Sequence, residues 1–288
     1  MSVVWQLILN SIIAGAIYAL VALGFNLIYS VTKFFNLAHG VIAVVGGYAV
    51  FYLTKSFGLN TFAAIALGVL IAGAVGYATD KFVYLPLRKR KATNMILLVA
   101  SLGVFTAIQA LIAIVFANQF QILGDHYAQE KIFQLGSGVI TQTQLIIFGA
   151  GLLITVGLIY ILNHTLFGKQ IKAVADDEEV SRIVGINTNK IIGQVFFIGS
   201  AIAGAAGVAI GFDTGLDPTF GLGLLLSGVV ACVIGGMGNI YGALLGAYLL
   251  AFAENFGIWK ISGEWKGLIA YLLLIIFLLI RPEGIIKK

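Results

Sequence analysis

The residues best suited to do chemistry form one charged segment, Ala175-Asp-Asp-Glu-Glu-Val-Ser-Arg-Ile-Val-Gly-Ile-Asn187, in an otherwise apolar chain. Four consecutive carboxylates, Asp176 to Glu179, precede Arg182 and Gly185. Charges at this density are too costly to bury in hydrocarbon, so the segment must protrude on one side of a membrane. The chemistry that it offers is recognition by another protein.

Lys172 to Asn187 is predicted to form one short helix. Acidic residues lie in its first turns, Glu178 and Arg182 have i,i+4 spacing, and Gly185 follows as a stop signal. Two interpretations stay open. The helix either joins two spans as a solvated connection, or docks into a groove of a cytoplasmic partner through an apolar side formed by Val180, Ile183 and Val184. The candidate docking residues are Ala175, Asp176, Asp177, Glu178, Glu179, Ser181, Arg182, Gly185, Ile186 and Asn187.

Three further groups of residues are candidates for lining or gating a passage. Each also has a plain structural explanation: a lone histidine at an interface usually caps a helix or meets a lipid headgroup, polar residues on a span usually bond to a neighbouring helix, and glycines usually permit close packing. For the polar residues and the glycines we expect the packing explanation. The three groups are Asn36, His39 and Gly40; Ser101, Thr106 and Gln109; and Gly235, Gly236, Gly238 and Asn239.

The elements that must position these residues are membrane helices. Of the 288 residues, 60% are hydrophobic and only 10% are charged, and the mean hydropathy is +1.04; a soluble domain carries roughly 25% charged residues. We therefore predict an all-α polytopic membrane protein with about eight or nine membrane segments. Two of them, 40–54 and 222–236, are short enough to be tilted, broken or re-entrant. The segments are 4–29, 40–54, 61–85, 95–118, 144–162, 191–212, 222–236, 240–258 and 267–280.

The distribution of Lys and Arg predicts the orientation. Thirteen of them fall in 30–39, 81–94, 163–190 and 281–288, whereas four fall in the remaining loops. By the positive-inside rule the N-terminus is outside and the C-terminus is cytoplasmic. The segment at about 163–190 is then cytoplasmic and the loop at about 119–143 is external. Since there is no linker or separable soluble part, residues 1–288 are predicted to form one transmembrane domain.

Several classes of function are disfavoured. No phosphate-binding loop is present, so ATP has no recognisable site, and no metal-binding motif occurs. The lone Cys232 lies in an apolar run and can form neither a disulfide nor a thiolate cluster. The net charge of +5 is better explained by topology than by nucleic-acid binding. No nucleophile–base pair appears at membrane depth, and no acidic residue reaches a predicted midplane, which disfavours an enzyme and an ion-coupled carrier.

Five motifs in the same order give the chain a family resemblance. In chain order they are Gly24-Phe-Asn-Leu-Ile-Tyr29 with Asn36-Leu-Ala-His-Gly40, Tyr84-Leu-Pro-Leu-Arg88, Phe167-Gly-Lys-Gln-Ile-Lys-Ala-Val-Ala175 with Gly185-Ile-Asn187, Ile234-Gly-Gly-Met-Gly-Asn-Ile-Tyr-Gly-Ala243 and Arg281-Pro-Glu-Gly284. Together these motifs resemble those of the LivH-type permeases of branched-chain amino acid ABC importers. The resemblance covers essentially the whole chain. The departures are Val41, where relatives are often acidic, and Tyr241, where proline is common. They leave the architecture intact and the substrate open.

The resemblance implies a type II-like ABC importer permease in the bacterial inner membrane. Its partners would be a second, homologous LivM-like permease or a second copy of this chain, two cytoplasmic ATPases that bind ATP and Mg, and an external solute-binding protein. The charged segment would be the ATPase-coupling helix. The expected substrates are leucine, isoleucine and valine. Relatives that move urea or short amides provide one alternative, and an ion-driven carrier acting alone provides another.

Overall fold

The computed structural model describes residues 2–117, 119–124, 131–259 and 262–286. A π-helical turn at Asp80–Tyr84 links the third and fourth helices, a 3-10 turn at Gly263–Trp265 precedes the last helix, and the strands are β1 (Ile132–Leu135) and β2 (Gly138–Thr141). The α-helices are α1 (Ser2–Thr32), α2 (Ala38–Lys55), α3 (Thr61–Thr79), α4 (Leu85–Lys89), α5 (Asn94–Val115), α6 (Gln142–His164), α7 (Leu166–Asp176), α8 (Glu178–Ile183), α9 (Thr188–Asp213), α10 (Phe220–Gly235), α11 (Ile240–Gly257) and α12 (Lys266–Ile280).

Every apolar segment predicted from the sequence is helical. Eight helical stretches in the described part of the chain are long and apolar enough to cross a membrane. One of them, Thr61–Lys89, runs continuously through α3, the π turn and α4. With 16 residues, α10 rises about 24 Å and falls short of a hydrocarbon core of about 30 Å. The all-α polytopic class is therefore confirmed.

The centre of the bundle is formed by α1 and α9, which are the most buried of the long helices together with α2. Glycines permit these helices to touch through their backbones: Gly46 on α2 lies against Gly204 on α9, and Gly199 on α9 lies against Gly24 on α1. In contrast, α12 is largely exposed. Close backbone approach between small residues is what drives helix association where lipid provides no hydrophobic force.

The loop before α6 contains a β-hairpin that was not predicted from the sequence. Antiparallel β1 and β2 pair Ile132 with Thr141 and Leu135 with Gly138. The side chain of Gln6, on α1, accepts from the Val139 N–H (2.8 Å) and donates to the Val139 carbonyl (3.0 Å). The hairpin is thus held against the start of α1. Asp125, His126 and Glu130, which precede β1 in the sequence, lie outside the described residues.

Candidate functional site

The charged segment is two helices rather than the one predicted across Lys172 to Asn187. The chain leaves helical geometry at Asp177 (φ −147°, ψ 115°), whose carboxylate accepts from the Val180 N–H at 2.9 Å. Short acidic side chains compete with the backbone in this way and favour N-caps over helix interiors. Asp177 therefore ends α7 and begins α8. We call α7, α8 and the turn 184–187 the α7–α8 elbow.

Two features of α8 agree with the sequence analysis. Arg182 donates to the Glu178 carboxylate at 2.7 Å with i,i+4 spacing, and Gly185 ends the helix with φ +88°. A Cβ at Gly185 would meet nothing within 4 Å. Within the described chain the glycine therefore serves the left-handed backbone conformation that ends α8.

The candidate docking residues divide by burial. Ser181 is 3% exposed and Ala175 is 8% exposed, so both face the rest of the chain, while Glu178 and Ile186 are half-buried. The others are exposed: Asp176, Asp177, Glu179, Arg182, Gly185 and Asn187.

The apolar side of α8 has no cover within the chain. Val180, Ile183 and Val184 are 54%, 83% and 68% exposed, and they adjoin exposed carboxylates on the same short helix. A cluster of exposed aliphatic side chains bordered by charges is typical of an interaction surface. We call Val180, Ile183 and Val184 the α8 apolar patch.

The elbow is fastened to a span at each end. Thr165, between α6 and α7, accepts from the Gly168 N–H at 3.0 Å, and Gly168 lies directly on the backbone of Leu162. At the other end, Asn187 caps α9 by accepting from the Lys190 N–H at 3.1 Å. A force on α8 therefore reaches α6 and α9 through short, capped junctions.

The connection from α1 to α2 turns back into the bundle, although the sequence analysis placed it in a loop. Phe34 and Asn36 are buried, and the Leu37 N–H donates to the Ser101 hydroxyl at 3.0 Å. Ser101 is the eighth residue of α5, which is about 10 Å from the start of that helix. Non-helical backbone at this depth is tolerated only where protein buries it or where it lines a cavity.

His39 is fully buried, so of its plain explanations a lipid headgroup contact does not apply. Its ring lies against Gly24 and edge-on to Phe25 at a centroid distance of 6.1 Å. Both ring nitrogens are buried and lack a well-formed hydrogen bond among the described residues. The backbone of Val21 is a polar group near the ring. The following Gly40 lies against the Gly221 carbonyl at the start of α10. These contacts place His39 where α1, α2 and α10 converge.

Asn36 connects the re-entrant connection to the third span. Its side-chain oxygen accepts from the Tyr84 hydroxyl at 3.0 Å and from the Ala38 N–H at 3.1 Å. The sequence analysis did not select Tyr84, because a tyrosine near the end of an apolar span is ordinary. Its burial distinguishes it: the side chain is among the largest that are fully enclosed.

Replacing Tyr84 by phenylalanine should destabilise the chain by about 1–3 kcal/mol, because the buried Asn36 oxygen loses one donor. Thermal unfolding of the purified chain in detergent measures the change. Tyr241→Phe is the matched control, since the hydroxyl of Tyr241 accepts from Asn163 at an exposed position. Equal stability of the Tyr84→Phe and unsubstituted chains would contradict the bracing role.

The polar residues of α5 differ from one another. Ser101 bonds to the neighbouring connection, as predicted. Thr106 is exposed and donates to the carbonyls of its own helix at Leu102 and Gly103, so the expected bond to another helix is wrong. Gln109 is half-buried and lies less than one helical turn after Thr106 on α5. Thr106 therefore lies on a face of α5 that the chain itself does not cover.

The glycine-rich break after α10 combines close packing with a true helix interruption. Gly235 lies on the Gly242 carbonyl of α11, while Gly236 (φ +115°) and Gly238 (φ +87°) adopt conformations that side chains disfavour. Asn239 then caps α11 by accepting from the Tyr241 N–H at 3.0 Å. The side-chain oxygen of Asn26, inside α1, accepts from the Gly238 N–H at 2.6 Å. Asn26 was missed, although an amide inside an apolar span is a readable signal.

One groove joins the break to the elbow. A cavity of about 590 Å³ lies between α1, α6, α7 and the start of α11. It contains Gly238 and Asn239 from the break together with Ala175 and Asp176 from the elbow. Asn36, His39, Ser101, Thr106 and Gln109 do not line it. Of the predicted passage residues, Ser101 therefore meets the connection that contains Asn36, whereas the glycine-rich break borders the groove.

The described residues contain no cluster of three or more histidine, cysteine or acidic side chains that could hold a metal ion. The elbow offers a surface for binding a partner and is joined to two spans. The glycine-rich break packs α10 against α11.

Comparisons with known proteins agree with this geometry. Residues 7–278 match the family described as branched-chain amino acid transport system / permease component. The high-affinity branched-chain amino acid transport system permease protein BraD of Pseudomonas aeruginosa is 31% identical, over 98% of this chain and 95% of the relative. The corresponding protein LivH of Escherichia coli is 29% identical over the same shares.

A solved structure supports the fold alone. PsaBC from Streptococcus pneumoniae, in complex with Fab, superposes with a TM-score of 0.53 and 16% identity, covering 95% of this chain and 91% of that chain. The family match spans almost the whole chain, including the glycine-rich break and the elbow. The chain belongs to the family of permease components of branched-chain amino acid transport systems.

Proposed function

We propose that this permease subunit moves leucine, isoleucine and valine across the bacterial inner membrane as part of an ATP-driven importer. The relatives named for that transport match nearly end to end. The single structural observation that carries the mechanism is the α8 apolar patch, which is exposed although the elbow is fastened to two spans. An exposed apolar patch on a segment joined to two spans is suited to a partner protein that binds α8 and moves it.

The partners we propose are two cytoplasmic ATPases, which hold ATP and Mg, a second permease of the LivM kind or a second copy of this chain, and an external solute-binding protein. The ATPases would bind the α8 apolar patch together with Asp176, Asp177, Glu179 and Arg182. The charge asymmetry of the loops supports a cytoplasmic elbow, an external N-terminus and a cytoplasmic C-terminus.

The proposed cycle follows from the junctions of the elbow. ATP binding and hydrolysis would move α8, and the capped junctions at Thr165 and Asn187 would tilt α6 and α9. Because α9 lies on α1 at Gly199 and on α2 at Gly204, its tilt would shift the contacts around His39. The passage would open alternately to the two sides. No covalent chemistry occurs in this chain.

The test is reconstitution of this chain with its partner subunits in proteoliposomes. We expect ATP-dependent uptake of leucine, isoleucine and valine, and ATPase activity stimulated by the loaded solute-binding protein. Uptake of urea or a short amide in place of these amino acids would support the alternative substrate class. Uptake by this chain alone under an ion gradient would contradict the scheme.

Gly185 provides a second test. Replacing it by valine should cut uptake and coupled ATPase activity several-fold while membrane insertion is unaffected, because a β-branched residue strains the left-handed backbone that ends α8. Gly185→Asn is the matched control and should retain most activity, since asparagine tolerates this conformation. Undiminished uptake by Gly185→Val would count against coupling through α8.

A further inference from the structure

A basic cleft lies beside α8 and shares no lining residue with the groove described above. It occupies about 560 Å³ between the end of α4, the start of α5 and α8. Four cationic side chains and one carboxylate line it. The charged lining residues are Arg88, Lys89, Lys91, Arg182 and Glu178.

Arg88 is built into the wall of the cleft. It is 15% exposed and donates through Nη2 to the buried Asp80 carboxylate at 2.8 Å. Its other terminal nitrogen, Nη1, is buried and has no hydrogen-bond partner among the described residues. The guanidinium group therefore gives the wall of the cleft a fixed positive charge, and guanidinium groups favour phosphate as a partner.

The other charges favour an anion. Lys89 and Lys91 are exposed and form no ion pair within the described residues. The lone carboxylate, Glu178, already accepts through Oε1 from Arg182 and from the Thr188 hydroxyl at 3.2 Å. Asn94 lines the cleft at the first turn of the 22-residue helix α5, and the N-terminal end of a helix dipole also attracts anions.

The surroundings point to a lipid as the source of that anion. Met95, Ile96 and Val99, on the first turns of α5, are exposed aliphatic or thioether side chains next to the cleft. They provide an apolar surface along which acyl chains can lie. The cleft is also on the side where Lys and Arg accumulate, and basic pockets between membrane helices on that side bind anionic headgroups.

We propose that this cleft binds the phosphodiester of an anionic phospholipid headgroup and so ties α8 to the α4–α5 connection. The bound phosphate would face Arg88, Lys89 and Lys91, with α8 forming the opposite wall of the cleft. The elbow would then move against a lipid-stabilised resting position. Inorganic phosphate has the same charge chemistry and is the competing source of the anion.

The test is direct binding to the purified full chain in a zwitterionic detergent. Short-chain phosphatidylglycerol, short-chain phosphatidylcholine and inorganic phosphate are titrated separately, and bound molecules are counted by native mass spectrometry. We expect saturable binding of phosphatidylglycerol and weak binding of phosphatidylcholine. The double variant Lys89→Gln/Lys91→Gln should bind phosphatidylglycerol about 30-fold more weakly, from roughly a fivefold loss per lysine.

The control is Lys169→Gln/Lys172→Gln, which removes the same charge from α7 without touching the cleft and should bind as the unsubstituted chain does. Arg88 is left intact, because its removal would leave the buried Asp80 carboxylate without its partner.

Saturable phosphate binding with the same lysine dependence, in the absence of lipid binding, would overturn the lipid source. Equal binding by both double variants, or no saturable binding of either anion, would overturn the site. The assay needs no ATPase partner, so its failure is distinguishable from a failure of the proposed transport function.

Discussion

Replacing Ile183 by arginine is expected to reduce ATP-driven uptake by the assembled transporter about 30-fold or more. Ile183 is 83% exposed, so the substitution leaves the packing of the chain itself intact. In the complex, however, it would place an unpaired charge in the middle of the apolar contact that we propose with the ATPase. Loss of one central interface residue typically costs about 2 kcal/mol or more of binding free energy, which is about 30-fold in affinity.

Two measurements check this result: uptake by proteoliposomes, and the amount of ATPase subunit that co-purifies with the chain. Leu166→Arg is the matched control, because Leu166 is 78% exposed and lies at the start of α7, away from α8. We expect it to retain both uptake and co-purification. If Ile183→Arg keeps both as well, the α8 apolar patch is not the docking surface.

Replacing Gly207 by alanine is expected to cause a large loss of stability. A Cβ at this position of α9 would overlap the carbonyl oxygen of Ala43 on α2. That oxygen belongs to backbone, so relief requires the two helices to separate. We expect a loss of about 3 kcal/mol or more, the upper part of the range for overpacked cores, and a melting temperature roughly 6–12 °C lower.

The same substitution at Gly157 is the control. A Cβ there, in α6, would meet nothing within 4 Å, and alanine favours the helix by about 1 kcal/mol over glycine. In thermal unfolding in detergent, the melting temperatures of the two variants should therefore differ by more than the helix propensity of alanine alone predicts. Similar melting temperatures for Gly207→Ala and Gly157→Ala would show that α2 and α9 are not packed as described.

The sequence predicted the helices well, because the number and position of the spans follow from hydrophobic length alone. It also predicted the close packing at Gly235, since glycines in an apolar span usually permit close approach. The break at Asp177 was missed, because capping and i,i+4 pairing use the same acidic residues. Whether Asp177 lies inside a helix or caps the next one depends on a single backbone conformation.

Other features depended on contacts between distant parts of the chain. Asn36 and His39 look like loop residues until Ser101 on α5 and Gly221 on α10 are seen beside them. The β-hairpin depends on Gln6, which is 133 residues from its partner Val139. The basic cleft likewise joins loops that are about 90 residues apart. Sequence patterns report which residues are polar or apolar, and such patterns contain no information on these pairings.

The most direct test of the account is the accessibility of a cysteine introduced by Glu179→Cys. The natural Cys232 is buried, so a membrane-impermeant maleimide would report the new thiol on α8. We predict labelling in inside-out vesicles stripped of ATPase subunits, protection when those subunits are added back, and no labelling in right-side-out vesicles. Labelling in right-side-out vesicles, or equal labelling with and without the ATPase, would contradict an elbow driven from the cytoplasm.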